Sequence, residues 1–306
     1  MSNPASDARR RGGATRSGFA IPRAMPAGQR WRSGVSRTYA TQSACKLAGA
    51  KLLVCLCMST GAAFASEVED IVSQANCAAY YQGNDGSAQV SMSIKDARGR
   101  TRKRQLTVLR RDDSPGECQA QKYYVYLRRP ADLNKTVFMA WKRPGNRDER
   151  WLYLPALDVV KRIAASDKRT SFVGSDFFYE DITGRDITAD RHELEKTTDN
   201  YFVLKAMPLD PKTVEFAYYR IWIHRKSHIP VKVEYYTESD ELYRLYEVQE
   251  VRQIQDRPTV VQSSLRDIKR GSETILKFRK VKYDIGLPED IFTERYLRRA
   301  PSKYLR

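Results

Sequence analysis

The sequence predicts a mainly β protein. One large antiparallel sheet of about eleven strands curls toward a barrel around a partly hollow, apolar interior. Three observations carry this expectation. Short runs that suit strands recur from residue 89 to residue 283, joined mostly by short links, which is the signature of a meander rather than of strands joined by helical crossovers. Several runs are apolar on both faces: Val137, Met139 and Trp141 alternate with Phe138 and Ala140, and Tyr123, Val125 and Leu127 alternate with Tyr124 and Tyr126. A sheet with one wet face alternates more strictly, so each side is either covered or lines a cavity. The covers in view, a helix over 67–81 and the connection from Asp158 to Ser175, are too small to fill the concave side of eleven strands.

Taken in chain order, residues 1–44 are rich in Arg, Ser, Gly and Ala and have no apolar period from which to build a core. A short apolar run follows Lys46 and Lys51 and closes on Ala63-Phe64-Ala65, the layout of a secretory signal peptide with a cut after Ala65. A retained signal anchor is the alternative, and Met25 is a rival start. Neither Cys55 nor Cys57 follows the small residue that a lipidation site requires. The expected organisation is therefore a disordered extension with signal peptide over 1–65 and a single domain over 66–306. Of the 54 basic and 37 acidic side chains, ten and one fall in the prefix, leaving 44 and 36 and a net charge of +8. The remaining runs, Arg100 to Arg104 and Tyr296 to Arg299, read as solvated faces or as attraction to anionic lipid headgroups; export argues against a nucleic-acid partner.

Within 66–306, Val68, Ile71, Val72, Ala75 and Ala79 lie near one face of a helix that Gly83-Asn-Asp-Gly86 ends. Strands are expected at 89–94, 102–110, 123–127, 137–141, 151–154, 201–205, 215–224, 229–236, 241–250, 259–266 and 274–283, with hairpin turns near residues 227 and 239. Cys77 and Cys118 either bridge in an oxidising compartment or stand as separate buried thiols; spacing does not decide.

Reactive constellations are sparse. His224 and His228 flank a turn with no carboxylate in ligand register. Asp176, Glu180 and Asp181 have Lys161, Arg162, Lys168 and Arg169 nearby to balance them, which favours charge pairing over acid–base work. Gly174-Ser-Asp lacks the frame of a nucleophile elbow, and no Walker motif occurs. No enzyme activity and no cofactor are expected.

The run Trp151-Leu-Tyr-Leu-Pro155, then Lys161-Arg162, then Ser171-Phe-Val-Gly-Ser-Asp-Phe-Phe-Tyr179, resembles the LolA-like outer-membrane lipoprotein-sorting family, in the branch found with RND-type exporters. Ala75-Asn-Cys-Ala-Ala-Tyr-Tyr-Gln-Gly83 and the hairpin from Ile221 through Ile229 to Tyr235 fit the same branch, and the resemblance spans roughly 67–306. It implies an unclosed, LolA/LolB-like antiparallel β-barrel whose mouth is covered by helices. It also implies a periplasmic carrier of lipid or lipoprotein acyl chains, working with an RND-type inner-membrane transporter. On that reading Trp151, Tyr153, Phe172, Phe177, Phe178 and Tyr179 line or gate the cavity, with ordinary barrel core as the alternative for each. Arg162 holds the lid or forms a surface salt bridge. Other expectations kept open are an accessory scaffold subunit of an exporter and an exported hydrolase.

Overall fold

In the computed structural model, residues 60–306 are described, apart from Pro144, Asn146 and Arg147. The Arg-rich prefix and most of the apolar run lie outside the described residues. The expected cut after Ala65 falls where no side chain is described.

Helix α1 (Thr60–Tyr80) leads into β1 (Asp85–Lys95), β2 (Thr101–Asp112), β3 (Gln121–Arg129), β4 (Val137–Lys142), β5 (Glu149–Leu154) and β6 (Val159–Arg162). A long connection carrying the short helix α2 (Tyr179–Thr183) leads to β7 (Asp190–Thr197), β8 (Tyr201–Pro208), β9 (Tyr218–His224), β10 (Pro230–Tyr236), β11 (Leu242–Ile254), β12 (Arg257–Asp267) and β13 (Ser272–Tyr283). A final segment holds α3 (Glu294–Arg298). The strands form one antiparallel sheet in the order β6-β5-β4-β3-β2-β1-β13-β12-β11-β10-β9-β8-β7. Every neighbour but one is joined by a sequential hairpin. The exception is the central pair, where β1 meets β13 with Val90 opposite Phe278 and Met92 opposite Leu276. At its start β1 runs so close to β13 that a Cβ on Gly86 would stand 2.7 Å from the carbonyl oxygen of Lys282, so only glycine fits there.

The described sheet has thirteen strands, not eleven. The two missed are β6 and β7, which are the two edges. Edge strands are protected from pairing with other chains by charge and short length rather than by apolar alternation. Val-Val-Lys-Arg and Asp-Arg-His-Glu-Leu-Glu-Lys-Thr are such sequences. The edges do not pair with each other, so the barrel is unclosed, as expected.

Three segments cover the sheet. On the concave side, α1 lays Ile71, Val72 and Ala75 against Leu204 of β8 and Ile223 of β9, a stripe at helical spacing. The connection from β6 to β7 packs Phe172, Phe177 and Tyr179 onto Val90, Met92, Leu106, Val125 and Phe138 of β1–β4. The third cover was not foreseen. The segment after β13 crosses the convex face of β2–β5 and buries Leu287, Ile291, Phe292, Leu297 and Leu305 against Leu109, Tyr124, Met139 and Trp151. Asp85 anchors it: its two carboxylate oxygens accept the backbone N–H groups of Ile285 and Leu287, each at 2.7 Å. The indole of Trp141 donates to the Phe292 carbonyl at 2.7 Å and the Tyr124 hydroxyl to that of Tyr296 at 2.8 Å. This explains the strands that are apolar on both faces. One face meets the C-terminal segment, the other the concave interior.

Cys77 of α1 and Cys118 of the β2–β3 loop form a disulfide, with Cα atoms 5.3 Å apart and a sequence separation of 41. It ties α1 to the sheet at the end of the helix nearest β1. A loop of this length contributes about 4 kcal/mol at most through the unfolded chain. We expect Cys77→Ser with Cys118→Ser to lower unfolding stability by about 2–4 kcal/mol. Denaturant titration of the oxidised parent and the double variant measures this; reductant should lower the parent to the variant's value.

Candidate functional site

Between the concave face, α1 and the β6–β7 connection lies a cavity of about 410 Å³, within the range of roughly 300–1,000 Å³ typical of small-molecule sites. Its walls are chiefly apolar. β1–β3 contribute Val90, Met92, Leu106 and Val125, the central strands Leu265, Leu276 and Phe278, the far half Ile221, Ile223 and Val233, α1 Val72 and Ala75, and the connection Phe172, Phe177 and Ile182. Strand alternation points these side chains inward.

The roof is held down by buried charge. Arg244 of β11, 1% exposed, pairs with Asp181 and donates to the Asp176 carbonyl at 3.0 Å. The Asp176 carboxylate accepts from the hydroxyls of Ser272 and Thr274 on β13. Glu180 receives Lys168 at 2.7 Å and Arg169 at 2.6 Å, with Arg185 at 3.4 Å. Arg169 also grips Glu215 with two bonds of 2.5 and 2.6 Å. Arg185 grips Asp190, the first residue of β7, at 2.7 and 2.8 Å, and that carboxylate accepts the Tyr219 hydroxyl at 2.9 Å. The acidic trio picked out in the sequence therefore pairs with charge and hydroxyls, but with partners from β11 and β13 as well as the nearby lysine and arginines. Gly184, at φ +81°, lets the roof meet the end of α1: a Cβ there would lie 2.9 Å from the Tyr80 ring.

The seven residues singled out in the sequence fall in three places. Phe172 and Phe177 line the cavity. Tyr179 stands behind them, its ring 5.1 Å from Phe138 and 5.5 Å from Phe172, while Phe178 is gripped between the guanidinium groups of Arg169 and Arg244 at 5.0 and 4.2 Å. Trp151 and Tyr153 are on the opposite face. They lie opposite Met139 and Val137 in the β4–β5 register and pack under the C-terminal segment, so they do not line the cavity. The reason is parity: in β5 it is Arg150, Leu152 and Leu154 that alternate to the concave side. Arg162 is exposed, pairs with Glu149 and lies over Trp151, 5.5 Å from the ring; it forms a surface ion pair rather than a hold on the lid. Sequence reasoning missed Arg244 and the polar end of the cavity at Arg110. The sole signal was an arginine inside a strand otherwise rich in Leu and Tyr. Among the described residues, no group of three His, Cys, Asp or Glu is placed to hold a metal. His224 bonds to Ser227 at 2.9 Å through Nδ1.

A family model described as an uncharacterized protein matches residues 119–299. Three solved structures share the fold. A DUF1329 family protein from Desulfovibrio piger is 23% identical with a TM-score of 0.69, covering 76% of this chain and 99% of its own. A domain from Vibrio parahaemolyticus described as outer membrane lipoprotein-sorting is 26% identical with a TM-score of 0.68, covering 77% and 100%. A LolA superfamily protein from Nitrosomonas europaea is 19% identical with a TM-score of 0.56, covering 75% and 98%. Among curated proteins none matches. The fold is that of the LolA-like lipoprotein-sorting proteins. This chain belongs to the DUF1329 family within that group.

Burial alone would raise the Glu180 carboxyl, but Arg169, Arg185 and Lys168 outweigh it and hold the group at about 2, against an ordinary value of 4.5. A folded value below the unfolded one stabilises fully above about pH 4.5, and the contribution is lost as pH falls through about 2. The gap corresponds to about 3 kcal/mol. Glu180→Gln should destabilise the protein by about 3 kcal/mol at pH 7. Its stability should also fall less than the parent's between pH 5 and pH 2, as read from urea titrations at stepped pH.

Proposed function

We propose that this protein carries lipid, or the acyl chains of lipoproteins, through the periplasm toward the outer membrane, receiving cargo from an RND-type inner-membrane transporter. The cavity is the observation that carries this reading: an apolar hollow under a clamped roof, in a fold shared with lipoprotein-sorting proteins. Removing each CH₂ from water is worth about 0.8 kcal/mol, so a sixteen-carbon chain gains roughly 12 kcal/mol of gross transfer energy on burial. A free chain therefore does not cross an aqueous gap at a useful rate, and a site of intermediate affinity lets it pass between two membranes. The reading is one of binding rather than turnover. The carboxylates nearest the cavity are engaged in ion pairs and hydroxyl contacts that hold the roof, which leaves them poorly placed to exchange protons with a substrate. The signal peptide with its cut after Ala65 and the RND partner belong to the same proposal.

The test is acyl uptake. Mass spectrometry of protein purified from membranes should find co-extracted lipid, and a fluorescent fatty acid should bind in a saturable way. Ala88→Trp places an indole in the hollow from β1, filling space rather than overpacking a core, and should weaken probe affinity about tenfold or more with little loss of stability. A dry protein that takes up no acyl probe overturns the reading. A stable complex with an exporter from such a dry protein would indicate an accessory scaffold instead.

A further inference from the structure

One end of the cavity is cationic and incompletely satisfied. Arg110 of β2 and Tyr123 of β3 lie directly opposite each other and are 8% and 4% exposed. Arg110 donates through Nη2 to the carbonyls of Gln82 and Gly83, at 2.6 and 2.5 Å, where the chain leaves α1. Its Nη1, the Tyr123 hydroxyl and the Gln82 side-chain oxygen are all buried with no partner among the described residues, and all three residues line the cavity. Behind them stands Lys142 of β4, 3% exposed, its ammonium 5.6 and 5.8 Å from the Tyr80 and Tyr81 rings. Among the described residues no carboxylate forms an ion pair with Arg110 or Lys142. The neighbouring carboxylates are otherwise engaged: Asp148 holds Arg150 at 2.6 Å, and Asp112 accepts the Ser114 N–H at 2.9 Å.

Buried donors left unpaired are costly, more so when charged. Here a guanidinium N–H and a phenol O–H, both donors, face one space, and among the described residues no carboxylate stands within ion-pair distance of that guanidinium. That combination suits an oxyanion, and the Gln82 oxygen beside it suits the proton of a monoester or a glycerol hydroxyl. We propose that this end binds the anionic head, phosphate or carboxylate, of a lipid whose hydrocarbon lies along the apolar walls. The proposal rests on the carrier reading and adds cargo chemistry and polarity: the head sits at the β2–β3 end under the last turn of α1.

The experiment measures displacement of a fluorescent fatty acid from the full chain by three single-chain competitors: palmitate, 1-palmitoyl-lysophosphatidate and the neutral 1-monopalmitoylglycerol. The charged competitors should bind about tenfold more tightly than the neutral one. Arg110→Gln should abolish that preference. Because Arg110 also caps α1, Tyr123→Phe is the second variant. It deletes only a hydroxyl that has no partner, so its melting temperature should hold while the preference for charged heads falls about fivefold. Equal affinity for charged and neutral lipids, or a preference unaffected in both variants, overturns the headgroup site and leaves the carrier reading standing. Failure of every lipid to bind overturns both. Displacement of the probe by inorganic phosphate alone, as strong as by the lysophosphatidate, assigns the site to a free anion and overturns the headgroup proposal.

Discussion

The architecture turns on one constraint of chain path. The strand order places β6 and β7, consecutive in sequence, at opposite edges of a thirteen-stranded sheet. The residues between them must travel from one edge to the other, and they do so across the concave side. A curved sheet with an unclosed seam would otherwise expose the oily inner faces of β1–β4 and β12–β13 to water. The crossing strap covers them only in part, and what it leaves unfilled is the cavity. The hollow therefore follows from topology, and the size of the residues on the strap, Phe172, Phe177 and Ile182, decides how much of it remains.

What holds the strap is charge rather than grease alone. A single buried ion pair gains little once both partners have lost their water. Here each guanidinium meets more than one acceptor: Arg169 bridges Glu180 and Glu215, Arg185 bridges Glu180 and Asp190, and Arg244 combines Asp181 with a backbone carbonyl. Such a lattice fixes one position of the roof where a greasy contact would allow sliding. Arg110 and Lys142 differ: among the described residues, no carboxylate forms an ion pair with either of them.

The sequence made the interior strands legible because their neighbours on both sides impose period two on apolar residues. It hid β6 and β7 because edges are kept charged. It also hid the C-terminal cover: Ile285, Leu287, Ile291, Phe292, Leu297 and Leu305 are spread through short turns with no sustained period, and Tyr296 to Arg299 read as a basic run. Among site residues, Phe172 and Phe177 sit on the strap itself, whereas Trp151 and Tyr153 depend on which face of β5 turns inward. That is set by pairing with Met139 and Val137, a long-range fact that local alternation does not contain. The cysteine pairing was undecided for the same reason, as distance between residues 77 and 118 is a property of the folded chain.

The central pairing of β1 with β13 bears on how the molecule is made. Each half of the sheet grows by adding adjacent hairpins, but the halves join only when residues near 90 meet residues near 277. A ribosome releases the first of these long before the last. Until then the two halves expose their inner seam strands, and the large closure entropy of that final contact slows completion. A polypeptide built this way completes its sheet only late in synthesis, and Asp85 then captures the segment that follows β13.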